Sequence, residues 1–298
     1  MRTEAESYWR SGIKSFDPDF LKKLERLALQ SSRPVLGTAG GNRRSKAKGS
    51  AIEFSDFREY TPGDDYRSID WNAYARFERL FVKLYMEERE ADITIFLDAS
   101  ASMAQGEPGK GILAKELAAV FTCIALANYD RVGIVAINDA VMDELPYFSG
   151  RPGFAKALGF LDEIEFRGRT SLKKGLEAYG PLRGRRGISI LLSDLFSEDG
   201  YEDYLEALQY LKFQRQDGIV IHILSPQELD PTFAGALRLI DVETGEPVEV
   251  EMSPHTIRLY QKALHVFLEE RKTACGNLEI AYVPVSSGIS LDRRLLWA

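Results

Sequence analysis

Three oxygen-bearing side chains stand on alternate residues at Asp98, Ser100 and Ser102, with an alanine between each pair. Carboxylate and hydroxyl oxygens are ligands that hard divalent cations take in proteins. The motif directly follows an apolar and β-branched stretch, residues 93–97, which lacks the alternation of a half-exposed strand. Such a stretch is typical of a strand buried on both faces of a parallel sheet, and ligand sites lie beyond the carboxyl ends of such strands. The sequence therefore predicts a divalent-cation site at the end of a central strand.

Two further segments offer oxygen donors of the same kind. Residues 187–194 repeat the design of an apolar strand that ends in a hydroxyl and an acid, here Ser193 and Asp194. The segment 167–171 carries Thr170 just before a helical pattern. Three loops, each following a strand or preceding a helix, thus hold the candidate ligands Asp98, Ser100, Ser102, Thr170 and Asp194.

A regular alternation of strand-like and helix-like segments from residue 92 onward must position these loops. We expect strands at 92–97, 131–137, 141–145, 187–194, 219–224 and 278–283, and helices at 110–128, 152–163, 171–179, 201–214 and 253–273. Asn138-Asp139 and Thr244-Gly245 are turn signals for two hairpins, and a short helix is expected from Leu291. This alternation is typical of an α/β fold with a doubly wound, mostly parallel sheet.

The composition changes along the chain and suggests three parts. Residues 1–48 are interpreted as an N-terminal helical arm, capped by Asp17, followed by a basic linker. Residues 49–90 mix aromatic and charged side chains, which predicts a β-containing segment packed on the main domain through partly buried ion pairs. Residues 91–298 are interpreted as the main domain, with a hairpin insertion near 236–252.

The composition of the 298 residues, 45% hydrophobic and 28% charged, is that of a globular protein. No apolar run approaches the roughly 20 residues of a membrane span, and the N-terminus lacks a signal-like apolar region, so we expect a soluble cytoplasmic protein. The net charge of -7 argues against nucleic-acid binding, although four basic residues within 43–48 keep that alternative open. Cys123 and Cys275 lack metal-ligand spacing and are expected to be reduced structural thiols.

The five candidate ligands, in this order, resemble the metal-ion-dependent adhesion site of von Willebrand factor A domains. An upstream signature accompanies them, formed by Phe54-Ser55-Asp56-Phe57-Arg58-Glu59-Tyr60-Thr61-Pro62-Gly63-Asp64-Asp65, Arg67-Ser68-Ile69-Asp70-Trp71, Ala75-Arg76 and Glu87-Glu88-Arg89-Glu90. This signature resembles that of the family called domain of unknown function 58, and the resemblance runs from Gly49 to Val283. It implies a von Willebrand factor A-like, Rossmann-like fold for the main domain.

The resemblance also implies a role for each ligand. The hydroxyls of Ser100, Ser102 and Thr170 would bind the ion directly, and Asp98 and Asp194 would bind it directly or through water. Mg²⁺ is the expected ion, with Mn²⁺ or Ca²⁺ as the other candidates. Because so few carboxylates bind directly, the ion would keep much of its positive charge and leave one position for a Glu or Asp of a partner protein.

The implied function is a non-enzymatic, Mg²⁺-dependent protein-binding module. Members of the family are often encoded beside MoxR-type AAA ATPases, so we expect an adaptor that works with such an ATPase or its client in complex assembly or remodelling. This chain has no phosphate-binding Gly-x-x-x-x-Gly-Lys-Ser/Thr loop, so any ATPase activity would come from the partner. Met103 and the loop 105–109 are expected to rim the open metal position.

Two further alternatives stay open from the residues. A metal-dependent hydrolase or phosphatase would use Asp98 as its nucleophile together with Asp194. A site of the haloacid dehalogenase type, however, requires a second acid at the position that Ser100 occupies here. None of the three histidines falls near a motif in the sequence, and His222 lies in a buried strand pattern. The other alternative assigns no metal, and Asp98 and Asp194 would then only cap helices or pair with arginines.

Overall fold

The computed structural model describes residues 16–17, 19–24, 53–62, 64–86, 90–181, 187–197, 199–231, 235–240 and 247–288. The chain divides into two compact units. One is Pro34–Glu90, and the other combines Met1–Arg33 with Ala91–Ala298.

The smaller unit is built on an antiparallel pair of strands, β1 (Glu53–Glu59) and β2 (Phe81–Met86). Helix α1 (Trp71–Phe77) lies between them in the chain, and the carboxylate of Asp70 accepts two backbone N–H groups of its first turn. Arg58 Nη2 lies 2.7 Å from Asp64 Oδ1, an ion pair within this unit whose arginine side chain is 47% exposed.

Six strands form the central sheet of the larger unit: β3 (Asp92–Asp98), β4 (Arg131–Ile137), β5 (Val141–Phe148), β6 (Gly187–Ser193), β7 (Gln216–Leu224) and β10 (Ala281–Ser286). Their order across the sheet is β10-β7-β6-β3-β4-β5, and every neighbouring pair is parallel except β4 and β5. Numbered within the sheet, this is the 3-2-1-4-5-6 order of a doubly wound fold, with β3 in the middle. The predicted doubly wound, mostly parallel α/β sheet is confirmed.

Helices flank this sheet: α2 (Lys110–Ala127), α3 (Arg151–Glu163), α4 (Leu172–Tyr179), α5 (Gly200–Phe213), the short α6 (Pro226–Leu229) and α7 (Pro254–Asn277). Helices α2 and α3 share one apolar core with Ile95 and Leu97 of β3, whereas α4 and α5 share another with Phe96. Successive side chains of a strand point to opposite faces of the sheet. Strand β3 is therefore covered on both faces, as its continuous apolar sequence predicts.

Part of the predicted N-terminal arm is visible in the larger unit. Residues 19–24 are helical, and Asp17 Oδ1 accepts the backbone N–H of Asp19 at 3.0 Å, which is the predicted capping role. Phe20 and Leu24 are buried in the core that α2 and α3 share. The rest of the arm lies outside the described residues.

The end of the larger unit differs in detail from the sequence-based expectation. Helix α7 continues past its predicted end at Thr273 because Ala274 and Cys275 are buried in the core, and strand β10 starts correspondingly later. Strands β8 (Gly235–Ile240) and β9 (Pro247–Met252) pair antiparallel in a sheet of their own. The expected Thr244-Gly245 turn and the helix from Leu291 lie outside the described residues. Among the described residues, every helix is too short or too polar to span a lipid bilayer.

Candidate metal centre

Asp98 is the last residue of β3, and its side chain is fully buried. Its Oδ1 accepts the backbone N–H of Ser100 at 3.0 Å, and its Oδ2 accepts the hydroxyl of Ser193 at 2.5 Å. Burial, together with the negative charge of Asp194, raises the pKa of the Asp98 carboxyl to about 7. A positive charge beside Asp98 would therefore be favourable, because it stabilises the ionised carboxylate.

The two serines of the motif bring their hydroxyls together, with Ser100 Oγ 3.1 Å from Ser102 Oγ. Ser100 is fully buried and Ser102 is half-buried, so the pair reaches from the interior toward the surface. Met103, by contrast, is fully buried in the core beneath α2 and α3. The prediction that Met103 rims an open metal position is therefore wrong. The following residues 104–108 are exposed.

The loop that carries Thr170 is joined to the motif through the backbone. The N–H of Ala101 donates to the carbonyl of Gly168 at 3.0 Å, and the N–H of Arg167 donates to the carbonyl of Ala99 at 2.7 Å. Thr170 itself is buried. These bonds place the Thr170 loop at the same edge of the sheet as the Asp98 motif.

Asp203 of α5 anchors the other side of this loop, and sequence reasoning missed it. Its carboxylate accepts the hydroxyl of Ser171 at 2.7 Å and the backbone N–H of Leu172 at 2.8 Å, at the start of α4. Asp203 is buried, although it lies in the first turn of its own helix. Acids are common in that turn for reasons of helix polarity alone, so its sequence position carries no sign of this second role.

Asp194, directly after β6, is engaged by a lysine. Lys110 Nζ lies 2.6 Å from Asp194 Oδ2 and 2.5 Å from Glu228 Oε1, and Lys110 and Asp194 are both fully buried. Burial alone would lower the pKa of Lys110, but the charges of Asp194 and Glu228 outweigh it and raise that pKa. The alternative that Asp194 pairs with an arginine is thus wrong in the residue type. The second oxygen of Asp194 accepts the backbone N–H of Phe196 at 3.1 Å.

Sequence reasoning missed Lys110, yet one signal was available. Lys110 is the first residue of α2, where the helix dipole disfavours a positive side chain, and apolar residues follow it. A cation that stands against the helix dipole at the start of a core helix indicates a carboxylate partner elsewhere in the fold.

His222, which lies in a buried strand as predicted, also belongs to this site although it is distant from the motifs in the sequence. Strand β7 pairs with β6 in a register that sets His222 opposite Ser193. His222 Nε2 lies 2.9 Å from the backbone carbonyl of Asp194, and Nδ1 lies 2.6 Å from the hydroxyl of Tyr282. Burial lowers the pKa of His222 to about 4, so the ring is neutral at pH 7. A carbonyl only accepts, so Nε2 carries the proton and Nδ1 accepts from Tyr282.

The donors at this edge of the sheet fit a hard divalent cation. Asp98 supplies a carboxylate whose raised pKa marks a place that lacks positive charge, and Ser100 and Ser102 supply adjoining hydroxyls. Asp194 fits less simply, because one of its oxygens already faces an ammonium. Among the described residues, no cluster of three or more His, Cys, Asp or Glu side chains could hold a metal ion, so a cation here would depend on hydroxyl ligands.

Two curated relatives are 26% identical to this chain over 243 residues, which is 80% of this chain and 75% of each relative. They are the uncharacterized protein Rv1480 of Mycobacterium tuberculosis and the uncharacterized protein Mb1516 of Mycobacterium bovis.

Several solved structures are similar at low identity. BatB from Bacteroides thetaiotaomicron is 17% identical with a TM-score of 0.42, over 69% of this chain and 95% of that one. An aerotolerance-related membrane protein from Bacteroides fragilis is 16% identical with a TM-score of 0.44, over 70% of this chain and 97% of that one. The VWA domain of SpRpn10 is 13% identical with a TM-score of 0.39, over 70% of this chain and 94% of that one.

A match to a family model confirms the family that the sequence resembles. The predicted signature begins at Phe54, and a family model matches residues 56–267, which is most of the chain. The order of the central sheet agrees with the von Willebrand factor A-like fold that the resemblance implies. The chain belongs to the family described as Protein of unknown function DUF58.

Proposed function

We propose that this chain is a non-enzymatic, Mg²⁺-dependent protein-binding module that acts as an adaptor for a MoxR-type AAA ATPase or its client in complex assembly or remodelling. One observation carries the proposal: the fully buried carboxyl of Asp98 lies beside the adjoining hydroxyls of Ser100 and Ser102. Burial and the charge of Asp194 raise the pKa of that carboxyl, which supports a cation there. When bound, Mg²⁺ would supply positive charge at this edge and an exchangeable position for an acidic side chain of a partner.

Each residue of the site would contribute to ion binding in a different way. Ser100 and Ser102 would hold the ion through neutral oxygens, so the positive charge is only partly cancelled. Asp98 would supply the buried negative charge that makes the ion favourable there. Ser102 is half-buried while Asp98 and Ser100 are fully buried, so an acidic side chain of a partner would approach the ion from the Ser102 side.

The surroundings of Asp98 support binding rather than turnover. Both Asp98 oxygens accept hydrogen bonds, from Ser100 and Ser193, within a fully buried site, and this is a poor arrangement for a nucleophile. His222 has both ring nitrogens engaged and a pKa lowered to about 4, so it is not available as a general base. The class of partner rests on the resemblance to the family alone.

Mg²⁺ is expected to raise the melting temperature of the chelator-treated protein, and Ser102→Ala is expected to remove most of that rise. A ligand that binds only the native state stabilises it by about 2.7 kcal/mol at one hundred times its dissociation constant. Ser197→Ala is the matched control, because it removes a nearby hydroxyl that donates to the carbonyl of Thr170 at 3.2 Å. Differential scanning fluorimetry at millimolar Mg²⁺ measures all three proteins. No rise in the wild type, or an equal rise in Ser102→Ala, would contradict the metal site.

The partner is tested by affinity capture from native lysate, with and without chelator, using wild type and Ser102→Ala as baits. A MoxR-type ATPase or its client is expected among the proteins that wild type captures without chelator but that are not captured with chelator or by Ser102→Ala. If chelator and Ser102→Ala leave the set of captured proteins unchanged, binding does not depend on the metal site and the proposed mechanism is wrong.

A further inference from the structure

Lys110 occupies a place in the site that no sequence motif assigns. Its ammonium lies 2.6 Å from Asp194 and 2.5 Å from Glu228. The side chains of Lys110 and Asp194 are 1% and 0% exposed, whereas that of Glu228 is 23% exposed. One ammonium is thus shared between a buried carboxylate that is a candidate metal ligand and a carboxylate that water can reach.

Stability alone does not account for this arrangement. Burying a charged pair costs desolvation free energy that its attraction often fails to recover, and apolar replacements are often neutral or stabilising. The positive charge of Lys110 also stands at the N-terminus of α2, where the helix dipole opposes it. The Lys110 ammonium is almost fully buried, and its cation–π contact with Phe196, at 5.4 Å from the ring centre, recovers only part of the desolvation cost. A role at the site explains a cation in this place better than folding does.

Glu228 is held in position independently of Lys110. It stands in α6 and forms a capping box with Ser225: Glu228 Oε2 accepts the N–H of Ser225 at 2.6 Å, and Ser225 Oγ accepts the N–H of Glu228 at 3.2 Å. The lysine side chain has a flexible four-carbon stem. If Lys110 moves away from Asp194, it therefore still has a charged partner close by.

We propose that Lys110 is a built-in competitor of the divalent cation at this site. In this structure its ammonium is paired with the Asp194 carboxylate, and Asp194 becomes available to the metal site only when Lys110 transfers to Glu228 alone. Lys110 would thereby set the metal affinity, and Glu228 would provide the place to which the displaced ammonium goes. This inference rests on the metal site of the proposed function.

The test measures Mg²⁺ binding to the full chain by isothermal titration calorimetry after chelator treatment. Lys110→Met is expected to bind Mg²⁺ at least tenfold more tightly than wild type, because the competing ammonium is gone. Glu228→Gln is expected to bind severalfold more weakly, because a displaced Lys110 then has no anionic partner. In the double variant Lys110→Met/Glu228→Gln, the Glu228→Gln change should no longer weaken Mg²⁺ binding, since no lysine remains to pair with Glu228.

Lys115→Met is the matched control. Lys115 is also buried on α2, but its ammonium donates to the backbone carbonyls of Ile164 at 2.7 Å and Asp162 at 3.2 Å, and no hydrogen bond joins it to Asp194. Its removal should leave the Mg²⁺ affinity within twofold of wild type.

The outcomes separate this inference from the proposed function. If wild type binds Mg²⁺ and Lys110→Met binds it equally or more weakly, the competition is refuted and the metal site stands. If Glu228→Gln still weakens binding in the Lys110→Met background, the receiving role of Glu228 is refuted. Should neither wild type nor folded Lys110→Met bind Mg²⁺, both proposals fail. If Lys110→Met does not fold, as judged by circular dichroism, Glu228→Gln alone decides, and an unchanged or tighter affinity overturns the inference.

Discussion

Replacing Asp98 by asparagine is expected to make the metal-free protein more stable at pH 8 than wild type, with an advantage that grows by on the order of 2–3 kcal/mol between pH 5 and pH 8. Burial and the charge of Asp194 hold the native pKa of Asp98 at about 7, against an ordinary value of 3.8. Between these values the native state keeps a proton that the unfolded state has lost, so this residue lowers stability as the pH rises. Asparagine does not ionise, so the variant does not lose stability in this way as the pH rises.

Asparagine can also keep the local hydrogen bonds, because its carbonyl oxygen accepts from Ser100 and its amide can donate to Ser193 Oγ. Urea unfolding of both proteins at pH 5 and pH 8, in the presence of chelator, measures the difference. Groups that do not interact with Asp98 titrate alike in both proteins and cancel in the comparison. Asp199→Asn, which removes a carboxylate with a 62% exposed side chain, is the control for the loss of an acid at the surface. A constant disadvantage of Asp98→Asn from pH 5 to pH 8 would refute the raised pKa of Asp98.

Asp203→Ala is expected to lower the free energy of unfolding by about 3 kcal/mol, because it leaves buried donors without an acceptor. The Asp203 carboxylate accepts from the Ser171 hydroxyl and from the N–H groups of Leu172 and Lys173 at the start of α4. Unsatisfied donors at a buried helix start are costly, and a water in the space left by the carboxylate would lack the negative charge that strengthens these hydrogen bonds. Chemical unfolding at pH 7 measures the loss.

Glu206→Ala is the control on the same helix. Glu206 pairs with Lys173 at 2.9 Å, but its side chain is 51% exposed, so its removal should cost less than about 1 kcal/mol. If Asp203→Ala and Glu206→Ala destabilise the protein equally, Asp203 does not anchor the Thr170 loop. Because Thr170 directly precedes the anchored Ser171, we also expect a smaller Mg²⁺ effect on melting in Asp203→Ala.

The general fold could be predicted because its evidence is local. The stretch 93–97 is apolar without alternation, and a strand with that pattern must be covered on both faces, as β3 is by the cores that contain Ile95 and Phe96. The turn signal Asn138-Asp139 places β4 and β5 antiparallel for the same local reason. The end of α7 was less predictable, because the burial of Ala274 and Cys275 against other elements lengthens the helix.

The sequence by itself determined which oxygen donors stand at the carboxyl edge of the sheet, since hydroxyls and acids that end buried strands have nowhere else to lie. Only the tertiary structure decided how these donors are paired. Lys110 reaches Asp194 across 84 residues of chain, and His222 reaches the carbonyl of Asp194 only through the register of β6 and β7. Periodicity describes which face of an element is buried, but not which charged groups of distant elements meet there. A buried ammonium must find its carboxylate in space, and for this reason the Asp-x-Ser-x-Ser motif reveals the site but not the lysine that engages it.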